Sequence, residues 1–182
     1  MKRLFLPLLL LTGNAFSVKA QTSPIIHTKK TPMATSISLS PLASGLLLIG
    51  KEGIEPGNNK ALDAYFAPGY VLHSQSGDLN LEQLKAYWAA LRRALTCFTV
   101  TREQIIVEGR MAAARSTFSG TFDKEFTPAG GAAIKPTGQP VRFEVIGTFQ
   151  FNEAGQLVEE WVQSDQVSFF KQFGVDRLSS KK

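Results

Sequence analysis

Residues 156–174 read QLVEEWVQSDQVSFFKQFG. Alternation through Leu157, Glu159, Trp161, Gln163 and Asp165 predicts a closing β-strand, and the aromatic run from Val167 to Phe173 predicts a short helix directly after it. A carboxylate, Asp165, then ends the row that carries Trp161. Two roles fit an acid in that place. In one, Trp161, Phe169 and Phe170 surround it, and desolvation raises its pKa into the range useful for moving protons at neutral pH. In the other it is the N-cap of the helix and accepts backbone N–H bonds from Val167 or Ser168.

Upstream of this stretch the chain keeps the same period. Strands are predicted over 98–108, 110–122 and 141–152, with the closing strand over 156–165. Glu153-Ala154-Gly155 makes a tight hairpin before the last strand, and a Gly/Pro/Ala-rich insert up to Pro140 separates the middle pair. Phe143, Val145, Gly147, Phe149 and Phe151 share one face of the third long strand, enough apolar area for a pocket or a partner surface. Before this meander the period is helical. Asn80 and Gln83 have capping-box spacing, and Leu84, Tyr87, Trp88, Leu91 and Leu95 recur on one face. Gly69 to Ser74 forms a short strand in which His73 shares a face with Val71 and opposes Tyr70 and Leu72. Two weaker helices precede it, one starting at Ser40-Pro41 and one carrying Ala61, Leu62, Tyr65 and Phe66. Helices first and an antiparallel meander afterwards predict one α+β domain over 41–176, with helices laid across a curved sheet.

The first twenty residues read as a signal peptide. Lys2 and Arg3 form the positive start, Leu4 to Thr12 the apolar core, and Val18-Lys19-Ala20 a small-residue cleavage site. Residues 21–40 contain ten Ser, Thr or Pro and read as a flexible linker that includes His27, and 177–182 form a tail. The expected address is secreted or periplasmic, with no membrane span in the mature form. Losing Lys2, Arg3 and Lys19 with the leader lowers the net charge from +5 to +2, so nucleic acid is not an expected partner. A single cysteine, Cys97, excludes an intrachain disulfide and a cysteine-based zinc site. Two histidines and carboxylates without ligand spacing give no metal site, and Gly130-Gly131 lacks the strand, lysine and helix of a phosphate loop, so no cofactor is expected.

The element order resembles the NTF2-like cone, three N-terminal helices packed on a strongly curved, mostly antiparallel sheet. More specifically the chain is similar to the SnoaL-like polyketide cyclases. The resemblance rests on Tyr65-Phe66-Ala67-Pro68-Gly69-Tyr70-Val71-Leu72-His73, on Ala112 to Thr117 followed by Gly120-Thr121, and on Gly155-Gln156-Leu157-Val158-Glu159-Glu160-Trp161 with Asp165 and Gln172-Phe173-Gly174. It implies an acid/base carboxylate at the end of the last strand, which maps to Asp165, working with a histidine. Where many members carry histidine this chain has Glu160, and where others do it has Phe122, which leaves His73 as the histidine of the domain. Arg115 is a second polar candidate, able to hold an enolate or carboxylate oxygen, or else paired with Glu144 or Glu159. Tyr65, Trp88, Phe143, Val145, Trp161 and Phe169 are the expected pocket lining. The expected ligand is a small apolar carbonyl-type molecule, and the expected chemistry is proton transfer in isomerisation, cyclisation or dehydration. The competing expectation is a non-catalytic module that binds a ligand or forms a homodimer through the sheet face.

Overall fold

The computed structural model describes residues 39–175. The leader at 1–20, nearly all of the linker and the tail at 177–182 lie outside the described residues.

Ser40 accepts a hydrogen bond from Ala43 N at 3.2 Å and Pro41 occupies the first turn, which starts helix α1 (Pro41–Leu48). The helix continues as a π-helical stretch, Ile49–Ile54, that ends with Glu55 N donating to Gly50 O at 2.9 Å. Helix α2 (Asn59–Tyr65) is capped by the Asn58 side chain. Helix α3 (Leu81–Ala94) begins with a complete capping box, Asn80 and Gln83 each accepting from the other's backbone N–H at 2.9 Å. Its buried face carries Leu84, Trp88 and Leu91.

The strands are β1 (Phe66–Ser74), β2 (Gly77–Asn80), β3 (Leu95–Glu108), β4 (Met111–Phe122), β5 (Pro140–Phe151) and β6 (Leu157–Ser164). They form one sheet in the order β2-β1-β6-β5-β4-β3, antiparallel throughout except for the parallel pair β1/β6. The four-residue β2 is the strand that the sequence pattern does not show. Curvature has visible causes in β3. Its pairing with β4 slips between Thr96 and Thr99 and again between Glu103 and Ile106, and each slip holds a residue with positive φ, Cys97 at 52° and Gln104 at 54°. Opposite the first slip stands Gly120, where an added Cβ would lie 2.8 Å from Thr96 O and 2.9 Å from Leu95 Cβ. Only glycine lets the bent strands approach this closely.

Helix α4 (Gln166–Gln172) closes the domain. Phe169 and Phe173 pack with Phe126 from the β4–β5 insert, at ring distances of 6.2 and 5.0 Å, and Phe173 also meets Phe122 at 4.6 Å. Within the insert Phe126 and Ile134 form an isolated β-bridge, and Gly138 N donates to Phe122 O at 2.9 Å. Fully burying each such ring contributes about 1.5–3 kcal/mol, so the aromatic end of the chain ties the insert to the sheet.

One local feature decides which side chains face inward. Phe151 pairs with Leu157 but Gln150 pairs with Glu159, so Val158 is an extra residue in β6. The bulge reverses the alternation expected for this strand. Leu157 faces the core, but beyond the bulge Glu160 is buried, and Trp161 and Gln163 are exposed.

Candidate functional site

A cavity of about 480 Å³ lies between the helices and the inner face of the sheet. Its apolar wall includes Leu72, Leu84, Trp88, Phe118, Phe143, Val145, Phe149, Val162, Phe169 and Phe170. Insert residues Pro128 to Gly131 and the β1–β2 turn residues Gln75 and Ser76 complete the lining. Into this wall β3 and β4 set Arg102 and Ser116, β6 sets Glu160 and Ser164, β1 adds Ser74 and α3 adds Tyr87.

Glu160 is the carboxylate of the cavity. It sits opposite Phe149 on one neighbouring strand and Leu72 on the other. Tyr70, buried on β1, donates its hydroxyl to Glu160 Oε2 at 2.7 Å. Burial raises the Glu160 pKa above the ordinary value of 4.5, while the Arg102 charge and the Tyr70 hydrogen bond pull it back. The Tyr70 phenol is pushed up by burial and then by the Glu160 charge, so it stays a donor. Arg102 lies with its guanidinium carbon 5.3 Å from the centre of the Phe149 ring and donates from Nη1 to Leu46 O at 2.7 Å. Burial lowers its pKa and the Glu160 charge opposes that. The Tyr87 phenol is raised by burial alone.

The residues singled out from sequence divide into two groups. Trp88, Phe143, Val145 and Phe169 line the cavity. Tyr65 is not among the lining residues and donates its hydroxyl to Glu52 at 3.0 Å. Trp161 is exposed on the other face of the sheet, because the bulge at Val158 turns it outward. His73 stacks on Trp161 there, with ring centres 5.3 Å apart, and its Nδ1 lies 2.9 Å from Asp78. Hydrogen bonding to Asp78 raises its pKa, partly opposed by desolvation. Arg115 is also outside the cavity lining, with Nη2 at 2.7 Å from Glu103 and Nη1 at 3.8 Å from Glu144. Asp165 is exposed and serves as the N-cap of α4: Oδ1 accepts from Ser168 N at 2.9 Å and Oδ2 from Ser168 Oγ at 2.6 Å. Those bonds lower its pKa, the reverse of the shift expected for a desolvated acid. Asp165, His73 and Arg115 are therefore not brought together, and none of them lines the cavity.

Sequence reading passed over Glu160, Tyr70 and Arg102 as a group. A signal was present for two of them. Tyr70 shares the inward parity of Leu72, and Arg102 that of Val100, so each polar group falls in a row of core residues.

The cone of helices on a bent six-stranded sheet, with a cavity between the layers, is the NTF2-like, ketosteroid isomerase-like fold. A model of the SnoaL-like polyketide cyclase family matches residues 47–173, and the chain belongs to that family. Among solved structures, a protein from Jannaschia sp. CCS1 described as a SnoaL-like polyketide cyclase is 21% identical, with a TM-score of 0.63 over 76% of this chain and 97% of that one. IdmH from Streptomyces antibioticus, proposed to be a polyketide cyclase, is 23% identical, with a TM-score of 0.61 over 75% of this chain and 100% of its own. TsrD from Streptomyces laurentii is 21% identical, with a TM-score of 0.59 over 75% of this chain and 98% of its own. At these identities the likeness is one of fold. Among proteins of curated function, none matches this chain.

Proposed function

We propose that the cavity binds a small, mostly apolar molecule carrying a carbonyl-type oxygen, and that Glu160 moves a proton on it. The observation that carries this reading is the 2.7 Å hydrogen bond from Tyr70 to a carboxylate set in the cavity wall. Tyr70 holds Oε2, which leaves Oε1 for a ligand. A carboxyl group whose pKa is raised by burial is suited to taking a proton from carbon beside a carbonyl and returning it elsewhere. Isomerisation, aldol-type closure and dehydration all consist of such transfers. In a screen of enolisable carbonyl compounds, turnover by the wild type and its loss in Glu160→Gln, with Asp165→Asn equal to wild type, supports the assignment. Equal turnover by wild type and Glu160→Gln sinks it.

One observation favours a second reading, a binding module without chemistry. His73, the histidine that would partner the acid, stands on the outer face with Asp78 and Trp161. On that reading the compounds bind to wild type and are recovered unchanged.

We also infer export, supported by the charged start, apolar core and small-residue site within residues 1–20. Mass spectrometry of protein isolated from its producing cells should find Gln21 at the N-terminus. An intact leader on the mature protein would refute export by this route.

A further inference from the structure

The polar groups of the cavity are unequally satisfied. Glu160 and Tyr70 serve one another, whereas Arg102 has a single hydrogen bond, to Leu46 O, among the described residues. Its Nε–H is buried without an acceptor. No carboxylate among the described residues lies within ion-pair distance of it; Glu160 acts on it electrostatically from farther away. Guanidinium keeps its proton under all ordinary conditions, so the cavity wall holds a positive charge. A half-buried cation in a mostly apolar wall without a paired anion is costly, and a bound anion would offset that cost.

The surroundings are shaped for such an occupant. Ser116 stands directly across from Arg102 in the β3/β4 pairing, is buried, lines the same cavity, and makes no hydrogen bond to the described residues through its hydroxyl. Phe149 supports the guanidinium from one side. The ring has its place because residue 147 is glycine: a Cβ there would lie 3.0 Å from Phe149 Cζ.

We propose that Arg102 and Ser116 form a seat for a carboxylate, so that the molecule taken by this cavity is an apolar body ending in a carboxylate group. Two guanidinium donors and a hydroxyl match the two oxygens of that group. The apolar wall of Trp88, Phe143 and Phe169 takes the body, and Glu160 stays separate from the anion as the proton carrier. Glu160 is bonded by Tyr70 and lies beyond ion-pair distance of Arg102, which leaves the guanidinium for the ligand. The proposal rests on the reading of the cavity as a ligand site, and its test separates the two.

Octanoate and octanamide have the same length and shape and differ in charge. Isothermal titration of the mature chain should show octanoate binding about tenfold tighter than octanamide. Arg102→Met should abolish that preference while keeping octanamide binding, and Arg102→Lys should keep part of it. If octanamide binds as tightly as octanoate to wild type, or if Arg102→Met keeps the preference, the carboxylate seat is refuted and the ligand cavity stands. If neither probe binds at millimolar concentration, the ligand-site reading fails and the seat with it. Should Arg102→Met not fold, Ser116→Ala decides together with the wild-type comparison. It should weaken octanoate about threefold and leave octanamide unchanged, and an unchanged octanoate affinity would count against the seat.

Discussion

Glu160 within β6 and Asp165 just past its end stand five residues apart and have opposite fates. Glu160 is buried in the cavity wall, bonded by a phenol, with its pKa raised by desolvation. Asp165 is exposed, bonded by the backbone and hydroxyl of Ser168, with its pKa lowered by those bonds. Both are carboxylates within four residues of an aromatic ring in the sequence, so composition does not distinguish them. What distinguishes them is the extra residue at Val158, which sets the inward row beyond it, and the start of α4, which claims Asp165. An acid becomes chemically unusual through what excludes water from it, and neighbours in sequence are a poor guide to that.

The sharpest way to break the contrast is to neutralise each acid in turn. Glu160→Gln keeps the shape and the acceptor for Tyr70 but cannot carry a proton. Turnover of any substrate found should fall by about 10²–10⁴. Asp165→Asn should leave turnover within about twofold, since its carboxylate serves a helix cap. The reverse ranking in steady-state rates would place the chemistry at Asp165 and dismiss the cavity acid.

Much of the architecture is legible in the sequence. The capping box at Asn80 and Gln83 and the apolar stripe through Leu84, Trp88 and Leu91 announce α3, since both are local and strictly spaced. The long strands show through alternation, and the order of helices before meander points to the α+β cone. The site was less legible. A β-bulge has no composition of its own, so nothing in Leu157-Val158-Glu159-Glu160 says that Val158 is the extra residue. One slip exchanges Trp161 for Glu160 on the inner face. Both roles of Asp165 could be written from its neighbours, and the cap becomes visible only through the two donors that Ser168 supplies. Arg102 and Arg115 look alike as mid-strand arginines. Their separation depends on register, since Arg102 pairs with Ser116 and Arg115 with Glu103 on the next, opposite-facing position, and on the partners each face presents, Glu103 and Glu144 for Arg115 and the Phe149 ring for Arg102.

A smaller effect sharpens the account of Glu160. Tyr70→Phe removes the hydroxyl that bonds Oε2 and keeps the ring packed edge-on to Phe66 at 4.6 Å. Loss of this buried bond should cost about 1–3 kcal/mol in chemical denaturation. Because the Tyr70 bond lowers the Glu160 pKa, its removal should move that pKa further up, visible as an upward shift in the pH–rate profile or in carbon-13 spectra of the carboxyl. An unchanged pKa would mean that the phenol does not set the acid's state.

The smallest effect is the pH dependence of stability, where the two acids should act in opposite directions. Glu160 is raised above 4.5 in the fold. When pH rises past 4.5 the unfolded chain releases a proton that the folded chain retains, so this residue's contribution to stability declines until its folded pKa is passed. Asp165 is lowered below 3.8. Its contribution is complete above 3.8 and is lost as pH falls through the lowered folded value, because the unfolded chain then takes up a proton first. Denaturant titrations across pH should therefore show Glu160→Gln gaining on wild type as pH rises above 4.5. Asp165→Ala should lower Tm at neutral pH by about 2–5 °C, and its deficit should shrink in acid. Parallel stability curves for wild type and both variants would mean that the bulge at Val158 and the cap at Ser168 do not divide the two carboxylates in the way their contacts require.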